Sequence, residues 1–393
     1  MRPRCVPCCL AVIACTAVLA RAQEPTRAGE ARMAREAKSE TAAPAKPGRL
    51  ERFLNAIERR KLFTNLFAPA DGFGVRIGGI DDGGGLALGP AWRTSKIAGG
   101  RVRAFASGAV SIRMDREIEA GFQLPHLAGD RLVLTVSGVS TRLAQEKFFG
   151  IGPTSIAADR STFGMDRESV GALLTAMPAR WLRLSGGVDM LSTSVDTDTS
   201  LRLGAPASDF LHTQAAAVVD YRDEPGNPRG GGRYSVAVHR YSDQGGARHS
   251  FTRIDADLEQ NVSFWKRQRL FTVRAIVSVS DADEGHDVPF YMQRTVGGSR
   301  LLRGFVHDRF RDRNLMVLQG EYAWDIWPFL NAVLFYEAGK VAPRASDLDF
   351  SGLRRDYGFG VRLGSTRSVA LRTDVAFGSG EGTRLVMRFS HAF

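Results

Sequence analysis

From Phe73 to the last residue, apolar and polar side chains alternate along the chain in segments of about ten residues. In 312–326, Met316, Leu318, Tyr322, Trp324 and Ile326 share one parity, while Arg313, Gln319, Glu321 and Asp325 share the other. In 269–280, Phe271, Val273, Val277 and Val279 oppose Thr272, Arg274, Ser278 and Ser280. In 368–377, Val369, Leu371, Val375 and Phe377 oppose Arg372 and Asp374. Successive side chains of a strand point to opposite faces, so each segment reads as a strand with one apolar and one polar face. Sixteen strands are predicted, the first at 73–80 and the last at 384–393. The even number suits a closed antiparallel barrel.

Alternation alone leaves two all-β architectures open. A soluble sandwich turns its apolar faces inward; a transmembrane β-barrel turns them outward to lipid. Residues outside the strands separate these. Arg2 and Arg4 precede an apolar run from Cys5 to Ala20, then Ala20-Arg21-Ala22. That order of charge, apolar core and small-residue site marks 1–22 as a secretory signal, with the mature chain starting at Gln23. A rival reading takes Val12-Ile13-Ala14-Cys15 as a lipoprotein site, but the apolar core before Cys15 is short. All four cysteines lie within residues 1–22, so the exported chain has no thiol chemistry. No later segment offers the roughly 18–20 uncharged apolar residues of a spanning helix. An exported chain that crosses a membrane without helices does so as closed strands.

Connection lengths agree with that reading. Long connections are predicted at 142–165, 193–210, 281–311 and 339–353, all at one end, with short turns such as Trp327-Pro328 and Gly364-Ser365-Thr366 at the other. Bacterial barrels place long loops outside and short turns in the periplasm.

Residues 23–48 hold almost no large apolar side chain and read as a disordered linker. Residues 49–66 place Leu50, Phe53, Leu54 and Ile57 at helical spacing, a short amphipathic helix that lies on the membrane, covers the barrel mouth or packs on the protein. The barrel is expected over 67–393. The chain carries 53 Lys and Arg against 42 Asp and Glu, and residues 1–22 account for three of the arginines. The remaining excess is spread out, which disfavours nucleic acid and favours acidic lipid head groups.

Three motifs stand out: Arg303-Gly304-Phe305 between the eleventh and twelfth predicted strands; Phe335-Tyr336-Glu337-Ala338-Gly339 on the thirteenth; and Asp220-Tyr221-Arg222-Asp223-Glu224-Pro225 after the eighth. Over roughly 67–393 they resemble the BamA/TamA superfamily, the bacterial surface antigen family of sixteen-stranded barrels. The resemblance implies that the 281–311 loop folds into the lumen with Arg303 at its tip. Glu337 stands where aspartate is commoner in the family.

A buried arginine needs carboxylates, and its planar fork can accept two. Glu321 and Glu337 fall on polar strand faces within reach of such a loop. Gly304 allows the backbone to turn and approach the wall, Phe305 wedges against it, and Arg300 and Arg309 are expected to be exposed neighbours.

The last strand places Phe389 on the face that ends at Phe393, which looks like the signal that barrel assembly machinery reads on its clients. Trp265, Tyr322, Trp324 and Trp327 suit the membrane boundary. Gly83-Gly84-Gly85 lacks the lysine and helix of a phosphate loop, the seven histidines lack zinc spacing, and no nucleophile elbow occurs. No enzyme, metal or cofactor is expected. Residues 23–66 are too few, and lack the strand pattern, for even one of the periplasmic POTRA domains that full-length relatives carry.

The expectation is a surface antigen barrel of the bacterial outer membrane, in contact with lipid and lipopolysaccharide. It would insert or translocate proteins when a periplasmic partner supplies the missing part. The alternative is a passive pore for small solutes, gated by loop 281–311.

Overall fold

The computed structural model describes residues 71–81, 83–197, 207–265, 267–327, 329–364 and 369–389. The signal, linker and amphipathic helix read from sequence lie outside them, as does Phe393. The strands are β1 (Gly72–Gly78), β2 (Ala87–Ile97), β3 (Val102–Ser111), β4 (Arg116–Leu127), β5 (Leu132–Phe148), β6 (Ser161–Ala179), β7 (Leu182–Thr197), β8 (Ser208–Asp220) and β9 (Gly231–Asp243). They continue as β10 (Phe251–Phe264), β11 (Arg269–Ala282), β12 (Arg294–Val296), β13 (Phe310–Asp312), β14 (Asn314–Trp327), β15 (Leu330–Ala342), β16 (Arg354–Gly364), β17 (Val369–Gly378) and β18 (Gly382–Phe389). Sixteen form one sheet in chain order, while β12 and β13 pair separately inside the long connection. Neighbouring strands run antiparallel throughout, for example Val317 opposite Gly339 and Glu337 opposite Asp356. Among the described residues no ladder joins β1 to β18, so these two are the sheet's edges.

The apolar face is the outer one. Val170, Leu174, Val188, Val238, Leu258, Val273, Leu334 and Phe359 are all exposed, whereas Ser278, Ser280, Asn331, Glu337, Asp356 and Asp374 are buried. A water-soluble sandwich would show the opposite sense, since burial of polar side chains against exposed apolar ones is stable only with lipid outside. Among the described residues no helix is long and apolar enough to cross a membrane. Phe264 stacks near Tyr322, Tyr322 near Trp324, and Trp327 near Phe329, all at the short-turn end, where Trp265 and Trp181 are also exposed. That clustering is an aromatic girdle.

Two sequence expectations change in detail. The connection placed at 142–165 is only 149–160, and the one at 339–353 is 343–353, because β5, β6 and β15 run on past the apolar run. Alternation fades there because the outward positions no longer need to be apolar above the lipid. The short strands β12 and β13, of three residues each, were not anticipated.

Contacts between distant strands show the sheet curling around an interior. Arg354 donates to the Pro153 carbonyl (3.0 Å), and Gly152 N–H donates to the Arg311 carbonyl (2.7 Å). The interior is filled from the long-loop end by residues 283–313. Phe290, Tyr291 and Met292 pack with Phe148, Phe163, Phe210, Tyr241 and Phe251. Leu302 and Phe305 pack with Val296, Phe310, Leu315, Val317 and Val341.

Candidate functional site: the arginine-held loop in the lumen

The inner face of β14–β17 presents its side chains in transverse rows fixed by the register. One row runs Gln319, Glu337, Asp356 and Gly378; the next runs Glu321, Phe335, Gly358 and Ala376; a third carries Gly360 and Asp374. Each of these rows holds at least one carboxylate and one glycine, so the wall is both acidic and shallow.

Residues 302–305 dock on it. Leu302 adopts a left-handed φ of 54°, and Phe305 N–H closes the turn on the Leu302 carbonyl at 3.0 Å. The turn therefore rests on Leu302, not on Gly304 as the sequence suggested. Gly304 serves close approach instead: a Cβ there would lie 2.6 Å from Gly378 Cα and 2.7 Å from Asp356 Cβ. Its N–H donates to Asp356 Oδ2 at 2.6 Å.

Arg303 is 4% exposed. Its backbone N–H donates to Glu337 Oε2 (2.7 Å) and its Nε to Glu337 Oε1 (2.9 Å). Nη1 reaches Asp374 Oδ2 (3.0 Å) and Glu321 Oε2 (3.3 Å), and the guanidinium carbon sits 3.7 Å from the centre of the Phe335 ring. Phe335 can lie flat there because Gly358 opposite it has no side chain; a Cβ on Gly358 would meet Phe335 Cζ at 2.5 Å. Gln319 Nε2 donates to Glu337 Oε1 (2.7 Å), and Arg362 bridges Asp374 Oδ1 (2.5 Å) and Glu321 Oε2 (3.0 Å). Arg303 therefore meets three carboxylates and one ring face, drawn from β14, β15 and β17.

The structure brings together Arg303, Gly304, Phe305, Glu321, Glu337 and Phe335. Gly339 lies one strand position away, where a Cβ would come 2.8 Å from the Met316 carbonyl and 2.9 Å from Val317 Cγ2. Asp374, Asp356 and Arg362 were missed as partners. The signal was present, since Asp374 lies on the polar face of its segment, but the row that aligns it with Arg303 is a property of the register.

Arg309 corrects an expectation. It is buried, its Nε pairs with Glu381, its Nη atoms donate to Ser155 Oγ (2.9 Å) and the Ser155 carbonyl (2.8 Å), and it lies over Phe310 and Phe149. The 149–160 connection folds over the loop and covers it. Arg300 is exposed.

Beside Arg309, His307 Nε2 sits 3.0 Å from Asp81 Oδ2 and 3.1 Å from Asp308 Oδ2. Burial opposes its charge, but bonding to Asp308 and Asp81 outweighs burial and pushes the imidazole up to about 10. Asp81, Glu146 and His307 bring ligand-type atoms within 4.8 Å of one another, a donor set drawn from three segments and invisible to spacing rules. The two carboxylates at His307 Nε2 favour the protonated imidazole, whereas a metal needs the neutral one. The cluster reads as an ion-pair tether.

The Asp220–Pro225 motif forms the turn between β8 and β9, at the opposite end from the long loops. Arg222 clamps Asp220 through Nε (2.9 Å) and Nη2 (2.7 Å), Asp223 accepts from the N–H groups of Glu224, Arg229 and Gly230, and Pro225 begins the tight turn closed by Asn227 N–H on the Glu224 carbonyl. This turn reaches across to β14, where Arg229 pairs with Asp325 (2.8 Å). Phe389 lies on β18 opposite Leu371.

The Omp85 superfamily domain matches residues 106–391. The chain belongs to the Omp85 superfamily. No curated protein sequence matches it. Among solved structures it is similar to BamA from Haemophilus ducreyi lacking POTRA domains 1–3, with a TM-score of 0.65 and 12% identity, over 80% of this chain and 69% of that one. It is also similar to CdiB from Escherichia coli (TM-score 0.54, 15% identity, 80% of this chain and 62% of that one). CdiB from Acinetobacter baumannii gives a TM-score of 0.50 and 12% identity, over 80% of this chain and 58% of that one. The chain thus spans less than two thirds of either CdiB. These likenesses establish the BamA-like all-β fold, and the Omp85 barrel places the protein in the outer membrane.

Proposed function

We propose that this Omp85 barrel is a surface antigen of the BamA/TamA type that works in insertion or translocation of proteins at the outer membrane, together with a periplasmic partner. The observation that supports this most is the Arg303 network. It fixes the loop to β14–β17, beside β18, and among the described residues no ladder joins β18 to β1. An unpaired strand edge is a template for another strand. Phe389 with Phe393 would act as the signal that directs the barrel itself to the assembly machinery. Lipid and lipopolysaccharide would contact the apolar outer face. No catalytic group takes part.

The test is reconstitution into vesicles with a small client barrel, with and without periplasmic extract. Faster client folding that depends on this protein supports the proposal, and no acceleration under either condition ends it. The pore reading is favoured by the charged lumen with its cavity of about 630 Å³. It expects steady single-channel conductance from the intact barrel, whereas the insertion reading expects large conductance only after removal of residues 285–308.

A further inference from the structure

The fourth inner row of the wall has a composition that pinning the loop does not use. It runs Asp325, Asn331, Arg362, Arg372 and Arg388, with Arg362 directly opposite Arg372 and Arg372 directly opposite Arg388. Three arginines side by side on adjacent strands repel one another, and like charges in such pairs destabilise a sheet. Arg362 is relieved by Asp374 and Glu321. Arg372 and Arg388 make no hydrogen bond or ion pair with any described residue, and the Nε atoms of all three are buried without a partner. The nearby carboxylates are already engaged: Glu321 and Asp374 each hold both Arg303 and Arg362, and Glu259 pairs with Arg222 (3.7 Å) and accepts from Asn261 (2.8 Å).

All three line a cavity of about 180 Å³ between the β8–β9 turn and the loop. Of the other arginines that line it, Arg229 is paired with Asp325, Arg274 with Asp257 and Arg303 with Glu337, while Arg300 is exposed on the loop. Two guanidinium forks thus face one small cavity with no carboxylate of their own among the described residues. A carboxylate would neutralise only one of them. A phosphate group carries about −1.5 to −2 at neutral pH and three acceptor oxygens, enough for both.

We infer that Arg372 and Arg388, backed by Arg362, form a phosphate-binding site inside the lumen, at its short-turn end and next to the terminal strand. The phosphate comes from a soluble phosphate or from a phosphate-bearing lipid head group. The site is independent of the insertion reading.

The test uses the full exported chain in a non-ionic detergent micelle and phosphate-free buffer. Inorganic phosphate is titrated calorimetrically, with sodium acetate and sodium chloride as comparison anions. Saturable phosphate binding is expected, reduced at least tenfold in the Arg372→Gln/Arg388→Gln double variant and unchanged in Arg344→Gln, an exposed arginine of the 343–353 connection. The double variant is also expected to unfold at a higher temperature than wild type without phosphate, because the repulsion is gone, and to lose the stabilisation that phosphate gives wild type.

Arg372→Lys/Arg388→Lys keeps the charge without the forks. It should bind more weakly than wild type and more tightly than the glutamine pair, and it provides the reading if that pair does not fold. Short-chain phosphatidic acid that competes with phosphate assigns the group to a lipid; failure to compete assigns it to a soluble phosphate. Absence of saturable binding, equal binding by the glutamine pair, or acetate binding as tightly as phosphate overturns the proposal.

Discussion

The two limbs of the 283–313 connection dock on different stretches of the same sheet. The first limb, with Val288, Phe290, Tyr291 and Met292, packs among side chains of β5 to β10; Phe290 meets Phe148 at 5.3 Å and Phe163 at 5.2 Å, edge to face. The second limb, residues 302–311, is held on β14–β17 and the 149–160 connection by charge: Arg303, Gly304 and Arg309 each find a carboxylate. Apolar contact is non-directional and survives small displacements. An ion-paired network is worth having only when every partner is present, since desolvated charge is costly without compensation. The first limb sets how firmly the loop is buried. The second sets where its tip lies.

The largest effect is expected from Arg303→Ala. It leaves Glu337 without an arginine and Glu321 and Asp374 with Arg362 alone, and breaking a buried pair this way costs about 3–5 kcal/mol. Protease cleavage within 283–313 and a lowered unfolding temperature report it. Replacing Glu321 and Glu337 by glutamine should mask part of that loss, but less than a two-carboxylate network would allow, because Asp374 remains. If Arg303→Ala and Arg300→Ala behave alike, the network does not hold the loop.

Phe290→Ala comes next, at about 3 kcal/mol from the lost ring and the cavity left behind. Unlike the arginine variant, it should free the first limb while the tip stays docked. Spin labels at Glu284→Cys and Ser299→Cys would read the limbs separately, and equal mobilisation of both labels by Phe290→Ala would break the division between limbs. Arg309→Ala should follow, at about 1–3 kcal/mol for hydrogen bonds to a charged group in a buried setting. Pairing it with Glu381→Gln should recover only the part due to unpaired charge, since the bonds to Ser155 stay lost.

The smallest effect is a pH dependence. His307 is pushed up from its ordinary 6.5 to about 10, so its tether is fully present below about 6.5 and is lost as pH rises through about 10. Hydrogen exchange of residues 306–309 should therefore show protection at pH 7 that declines between pH 8 and 10 beyond the intrinsic rate. His307→Gln should abolish that decline. An unchanged profile in the variant would remove His307 from the tether.

The strands are legible in the chain alone. Period-two alternation located all sixteen members of the sheet, because a strand between lipid and a polar interior must change character at every residue. Arg303 was singled out by the motif shared with the family, and Glu321 and Glu337 as polar-face carboxylates within its reach; the structure places all three together. Alternation misplaced the ends of β5 and β6, where the strands rise above the lipid and the outward side no longer needs to be apolar.

Which inward residues share a row depends on how the strands pair. Asp374 stands more than seventy positions from Arg303 in the chain and 3.0 Å from it in space, because register across β14–β17 converts spacing along four strands into adjacency. The same register sets Arg362, Arg372 and Arg388 side by side. Arg309, read as exposed, is buried because a connection 150 residues earlier in the chain folds over it. Alternation is a local rule that each strand obeys alone; pairing, curl and loop docking are set by contacts between segments, and no single segment carries them.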